Sequence, residues 1–514
     1  MPVILPKLDL ERGILSRYCE EMLSLLPKPT SVWKYMLAMT QVPRGSNDDG
    51  ERFRHKKVLA FLKQQAEDLN CETYVDKGEN LLIRKKAYPG LENKPSICLQ
   101  CHMDMVVQKN DDVVINFETD PLTPRIVDNK WLMATGTSLG ADDGIGVATC
   151  FAILSDASLK HGPLEVLITR DEETGMFGAL ELEPGLLRSP YLINVDSEEE
   201  NALCIGCAGG FTVDCTLPVT RSPAPKTAVL RVTLNDFRGG HSGCDIDVGR
   251  ANPLHVMGRL LTAVNAPIRV VAIRCGTADN AIPRKCVVEI AVNTDEIRQV
   301  ETEISRGFDA FRREFQRTEP AAKLEIETKP TDETPVDETP IDDDASRRLL
   351  HFLNVCPFGV QRYSPAVKSD VETSLTCAIA QSSPREVGFV VSVRSSVSSQ
   401  LDWMYGRLRC LADLCGMAIS PRKSEYPAWE PKESSPLTKA MVAAYREAVG
   451  VEPRVYSIHA GLECGVFLEK YPMIDCVSIG PTVLNPHSPE ERLEIETVPR
   501  FYKVVVKALE KLSQ

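Results

Sequence analysis

Five short stretches of this chain carry side chains able to bind divalent cations or to move protons, and they come in a fixed order. The first is His102-Met103-Asp104. In an extended segment, side chains two positions apart project to the same face. Asp104 can therefore accept a hydrogen bond from one ring nitrogen of His102 and fix its tautomer. The second is Gly140-Ala141-Asp142-Asp143-Gly144, a pair of carboxylates between glycines just before a helical run. Taken alone, it is explained by helix N-capping. The third is Asp171-Glu172-Glu173-Thr174-Gly175. Adjacent carboxylates leaving a strand face different ways, so one can ligate a metal while its neighbour stays free as a base; a solvated acidic turn is the alternative. In the fourth, Asn194-Val195-Asp196-Ser197, Asp196 lies closest to the strand and is the better ligand, while Glu198, Glu199 and Glu200 read as a wet face. The fifth, Asn485-Pro486-His487-Ser488-Pro489, is a Pro-punctuated loop after the apolar run MIDCVSI. Divalent metal centres are assembled from such Asp, Glu and His sets at strand or helix ends.

The elements that must hold these clusters are legible around them. Residues 96–105, Leu164–Thr169 and 191–195 are apolar runs without alternation, each leading into a polar cluster. A helix is predicted over 144–154. Such strands separated by helices imply an α/β layer with a mixed, mostly parallel sheet flanked by helices. The clusters then fall at the C-terminal strand ends, where open α/β sheets place their sites. Helical periodicity predicts a surface helix within 11–40 and another over 51–68. From about residue 207 the texture changes. VDCTLPV and AVLRVTLNDF alternate in period two, as antiparallel strands with one wet face do. With strands at 285–293 and 386–394 and helices near 250–265 and 296–316, this predicts an inserted α+β domain. The expected organisation is a catalytic domain of two segments, 1–207 and 399–514, interrupted by a lid and dimerisation domain over 208–398. The acidic, Pro-rich stretch 327–344 is expected to be a solvated loop.

Composition removes several function classes. Lys and Arg number 59 against 72 Asp and Glu among 514 residues, a net charge of −13. Nucleic-acid affinity rests on cation–phosphate pairing, and anionic membranes attract basic segments, so neither partner is expected. Lys7 and Asp9 interrupt the start before an apolar signal core could form, and no stretch reaches the ~20 apolar residues of a membrane helix. The 17 cysteines, an odd count, read as reduced thiols of a cytoplasmic protein. Cys98-Leu99-Gln100-Cys101-His102 matches a c-type haem attachment pattern but falls inside an apolar strand. A structural zinc site from Cys98, Cys101, Cys204 and Cys207 would likewise need strand-embedded thiols.

The ordered set CHMDM, LGADDGIGVA, TRDEETG, NVDSEE, RGGHSG, AGLECG and IGPTVLNPHSPEE resembles the co-catalytic metallopeptidases of the aminoacylase and glutamate-carboxypeptidase type. Within that group it is most similar to the aminoacyl-histidine (Xaa-His) dipeptidase branch. The resemblance spans about residues 30 to 510. It implies a hydrolase cleaving dipeptides or small peptides with two divalent ions, usually Zn2+, with Mn2+ or Co2+ as alternatives. Asp142 would bridge the ions, His102 and Asp196 would complete one site, and Glu173 and His487 the other. Asp104 would orient His102, and Glu172 would be the general base. His241 would stabilise the oxyanion from the same chain or from a partner in a homodimer. Asn280, Arg394, His459 and Glu463 would contact substrate, Arg394 through its C-terminal carboxylate. A cis peptide is expected at Asp142–Asp143. Asp143 stands where the family often has Asn. A carboxypeptidase or N-acyl amino acid deacylase would use the same centre, and an inactive binding relative would keep only the fold.

Overall fold

The computed structural model describes residues 15–46, 56–224, 226–329, 339–432 and 434–514. Parts of the predicted 11–40 and 51–68 helices, and 330–338 of the acidic stretch, lie outside the described residues. The chain divides into two compact units, one of Met1–Gly206, Pro431–Tyr456 and Leu462–Gln514, the other of Cys207–Glu430 and Ser457–Gly461.

The first unit is built on a sheet whose strand order runs Glu72–Val75, Leu81–Lys85, Leu164–Thr169, Ile97–His102, Tyr191–Asn194 and Asp475–Ser478. Ile97–His102 pairs in parallel with Leu164–Thr169 on one side and Tyr191–Asn194 on the other, and Asp475–Ser478 extends the parallel set. Ile97–His102 and Leu164–Thr169 are buried throughout. That burial on both faces is why their sequences are continuously apolar rather than alternating. The register sets His102 opposite Thr169, and Gln100 opposite both Leu167 and Asn194. The strand ends that carry the polar clusters therefore lie at one edge.

Helix Ala141–Ser155 packs on Ile97–His102 and on helix Thr30–Met39. The single surface helix predicted within 11–40 is two helices, Arg17–Leu23 and Thr30–Met39. Pro27 and Pro29 separate them, since a proline ring fixes φ and removes an N–H that a continuous helix needs. The second is not a surface helix, for Val32, Trp33, Met36 and Leu37 are fully buried.

The second unit carries an antiparallel sheet running from Lys323–Lys329 through Thr227–Asn235, Cys286–Asn293, Ile268–Cys275, Val371–Ser382, Glu386–Ser395 and Gly209–Pro218. Burial along Gly209–Pro218 and Thr227–Asn235 alternates largely residue by residue. The inward side chains form one core with helices Pro253–Thr262, Ile297–Glu314, Asp343–Val355 and Ser398–Leu414. The unit runs on to Glu430, past residue 398, because Ser398–Leu414 packs on Glu386–Ser395 and Gly209–Pro218. None of the 17 cysteines is in a disulfide, and all but Cys244 and Cys410 are buried. Among the described residues, no helix is long and apolar enough to cross a membrane.

Candidate metal centre and its surroundings

Four parallel strands deliver the site. Ile97–His102 ends on His102, Leu164–Thr169 runs into Glu172 and Glu173, Tyr191–Asn194 into Asp196, and the loop after Asp475–Ser478 carries His487. Asp142 enters from the loop before the helical turns that begin at Gly144. Asp142 and Asp143 have non-helical φ and ψ, and the peptide between them is cis.

The two oxygens of Asp142 lead to different imidazoles. Oδ1 lies 3.1 Å from His102 Nε2, and Oδ2 lies 3.1 Å from His487 Nε2. His102 Nε2 is also 3.3 Å from Asp196 Oδ1, and His487 Nε2 is 2.8 Å from Glu173 Oε2. Two donor sets thus share one carboxylate. The ligand atoms of His102, Asp142 and Glu173 lie within 4.8 Å of one another, as do those of His102, Asp143 and Asp196. Asp143 is engaged elsewhere, accepting hydrogen bonds from the backbone N–H of His102 and Gly146 at 3.3 and 3.0 Å. No group of this kind found among the described residues contains a cysteine, so the thiol-zinc reading finds no support.

The electrostatics of this cluster fit divalent cations. Burial, reinforced by Asp142, pushes Asp196 up to about 7. Hydrogen bonds to Asp142 and Glu173 push His487 up to about 11. Burial works to raise Asp142, yet its hydrogen bonds to His102 and His487 hold it well below the usual carboxylate range. Crowded carboxylates are thus offset by imidazolium protons, a role that bound cations fill with more charge. Glu173 Oε1 is buried without a hydrogen-bond partner among the described residues, an open position for a ligand bond.

Asp104 anchors the arrangement. It is fully buried, with Oδ1 3.4 Å from His102 Nδ1. It also accepts from Ser46 Oγ at 2.8 Å and from the backbone N–H of Glu172 and Glu173 at 3.2 and 3.4 Å. Asp104 therefore ties the histidine to the loop of the adjacent strand. Burial raises the Glu172 carboxyl well above its ordinary value, Asp196 adding to the shift and His102 opposing it. A carboxyl so placed can hold a proton and give it up.

Glu463 sits in the same unit, 1% exposed, where Oε2 accepts from Gln100 Nε2 at 2.6 Å and Thr169 Oγ1 at 2.7 Å. Gln100 accepts in turn from Asn194 Nδ2 at 2.6 Å. A buried polar chain thus lies among the strands that carry the candidate ligands. Glu199 and Glu200 are ion-paired with Arg454 and Arg500 rather than forming only a wet face.

The other expected residues gather in the second unit. His241 Nδ1 accepts from the backbone N–H of Gly243 and Cys244 at 3.2 and 3.0 Å. Burial and the Arg394 charge lower its pKa to about 4. The ring is then neutral at pH 7 and carries its proton on Nε2. Arg394 donates from Nε to Ser242 Oγ at 3.3 Å and from Nη1 to the Tyr426 hydroxyl at 2.6 Å. His459 shares a hydrogen bond of 2.7 Å with Ser374 Oγ. The Asn280 carbonyl accepts from Ser242 N–H at 2.8 Å, and its side chain is exposed.

Sequence reasoning passed over Glu491 and Arg44. Glu491 is 2% exposed and accepts hydrogen bonds from four successive backbone N–H groups: Leu139 at 2.7, Gly140 at 2.8, Ala141 at 2.7 and Asp142 at 3.3 Å. Arg44, also 2% exposed, donates to the carbonyls of Asp104 at 2.8 Å, Met103 at 3.3 Å and Gly140. The available signal was the place of Glu491 four residues beyond His487. Arg44 offered none.

The sequence profile of Peptidase family M20/M25/M40 matches residues 98–511. The cytosol non-specific dipeptidase of Escherichia coli (strain K12) is 35% identical over 495 residues, covering 96% of this chain and 99% of that protein. The crystal structure of aminoacylhistidine dipeptidase from Vibrio alginolyticus matches with a TM-score of 0.86 at 36% identity, covering 95% of this chain and 97% of that one. A tripeptidase from Staphylococcus aureus, at 13% identity and a TM-score of 0.53, shares the fold. With a profile match over most of its length and a relative 35% identical along nearly all of it, this chain belongs to Peptidase family M20/M25/M40.

Proposed function

We propose that this protein is a metal-dependent dipeptidase of broad specificity, aminoacyl-histidine dipeptides included. The observation that carries this reading is the division of the Asp142 carboxylate between the His102 and His487 donor sets. Two dipeptidases similar along their whole length support the substrate class.

His102 and Asp196 would hold one divalent ion, Glu173 and His487 the other, and Asp142 both. Zn2+ suits this nitrogen and oxygen set best, with Mn2+ or Co2+ able to replace it. Ions bound there supply Lewis acidity toward the scissile carbonyl and lower the pKa of water. Glu172 takes the proton of the attacking water and passes it to the leaving amine. Asp104 keeps His102 in one tautomer. The Nε2–H of His241 donates to the oxyanion. The remaining N–H groups of Arg394 pair with the C-terminal carboxylate, and Asn280 and His459 contact substrate beside it. Glu463 supports the strands that carry the ligands. The protein works in the cytoplasm, as a homodimer through its second unit, which light scattering of the purified chain checks.

The test is a panel of Xaa-His, Xaa-Gly, Gly-Gly-Gly and N-acetyl amino acid substrates with each metal. Turnover of dipeptides with a free amine, Xaa-His among them, is expected. Preference for the acetylated compounds would make the enzyme a deacylase, and no turnover on the panel would leave only a binding relative.

A further inference from the structure

We propose that Glu491 is a positioning residue that aims Asp142 at both metal sites. This rests on the two-site reading above and goes beyond it to a residue outside the ligand set.

The loop at Leu139–Asp142 makes a sharp entry into its helix, with Gly140 at φ +66°. Its consecutive N–H groups all point one way, and without an acceptor each would be a buried orphan donor. One carboxylate satisfies them, Oε2 taking Leu139 and Gly140 and Oε1 taking Ala141 and Asp142. Arg44 holds the other side of the same loop through the Gly140 carbonyl. A Cβ at Gly140 would stand 2.5 Å from Arg44 Nη2, and one at Gly144 would stand 2.6 Å from it. Glycine at both places is what lets the guanidinium in.

Glu491 and His487 belong to one loop, so that loop grips Asp142 twice, at its backbone N–H through Glu491 and at Oδ2 through His487. Rotation or retreat of the Leu139–Asp142 backbone would move both carboxylate oxygens together. Glu491 therefore acts on both donor sets, whereas His487 itself serves one.

The deciding experiment is equilibrium dialysis of Zn2+ against purified full-length wild type, Glu491→Gln and His487→Ala, with amide hydrogen exchange at residues 139–142. Glutamine keeps the size of Glu491 but turns an N–H2 toward N–H donors. Glu491→Gln is expected to weaken both zinc sites together by roughly 10- to 100-fold and to speed exchange at 139–142. At saturating zinc it should lower kcat more than it raises KM. His487→Ala is expected to weaken one site. Two sites of wild-type affinity in Glu491→Gln, or loss confined to one site, would overturn the assignment. If that variant does not fold, the wild type still decides, since fast exchange of the four amides in zinc-free protein would show that no clamp exists. Wild type that binds no pair of zinc ions would instead sink the two-site reading itself.

Discussion

Glu172 and Glu173 are neighbours in the chain with different surroundings. Glu173 Oε2 meets His487 at 2.8 Å, while Glu172 makes no ion pair with either histidine among the described residues and keeps a raised affinity for a proton. Glu172→Gln should therefore lower kcat by about 10²- to 10⁴-fold while metal content, measured by plasma mass spectrometry, stays at the wild-type level. Near-wild-type turnover would remove Glu172 from the proton path. The candidate ligands were legible in the sequence because metal chemistry accepts few residue types, and His102, Asp142, Glu173, Asp196 and His487 all lie at strand or turn ends. Glu491 and Arg44 were not, because they act on backbone N–H and C=O groups. Every residue carries those groups, so no pattern of side chains betrays which of them need a partner.

At the scale of elements, the tight entry into the Gly144 helix rests on small residues. A Cβ at Gly146 would fall 2.2 Å from Asp143 Oδ1, where the Asp143 carboxylate caps the Gly146 N–H. Alanine is ordinarily the better helix former by about 1 kcal/mol, so propensity alone predicts that Gly146→Ala stabilises. The steric conflict reverses the sign, and overpacking of this kind costs about 1–3 kcal/mol. Thermal denaturation should show a lower Tm for Gly146→Ala; an unchanged or higher Tm would mean that the Asp143 cap is dispensable. Buried strands such as Leu164–Thr169 were legible from unbroken apolar runs. The break between Arg17–Leu23 and Thr30–Met39 was passed over because apolar spacing survives across it and only Pro27 and Pro29 mark it. The extent of the second unit was hidden too, since a helix such as Ser398–Leu414 shows its partner only through packing.

Over the whole molecule, pH acts on the second unit through half-buried and buried neutral histidines. Burial lowers His255 from 6.5 to about 4, and its ring lies 5.3 Å from that of Phe358. His241 and His459 shift in the same direction, burial first in each, to about 4 and about 3. The unfolded chain takes up protons on these rings as pH falls below 6.5, and the folded chain only near their depressed values. The stability they contribute is therefore complete above pH 6.5 and is lost as pH falls toward 4. For His255 alone the loss at pH 5 is roughly 2 kcal/mol. Urea unfolding at pH 7 and pH 5 should show this slope, and His255→Phe should flatten it; an equal pH dependence in that variant would contradict the assignment. The net charge of −13 also takes on local meaning, since Asp142, Glu173 and Asp196 concentrate part of it at the proposed cation sites. The most direct measurement is Xaa-His dipeptide hydrolysis by chelator-stripped protein against added equivalents of Zn2+. The stripped protein should be inactive, with turnover reaching its plateau at two equivalents per chain. Full activity in the stripped protein, or none at any zinc level, would contradict the shared Asp142 centre.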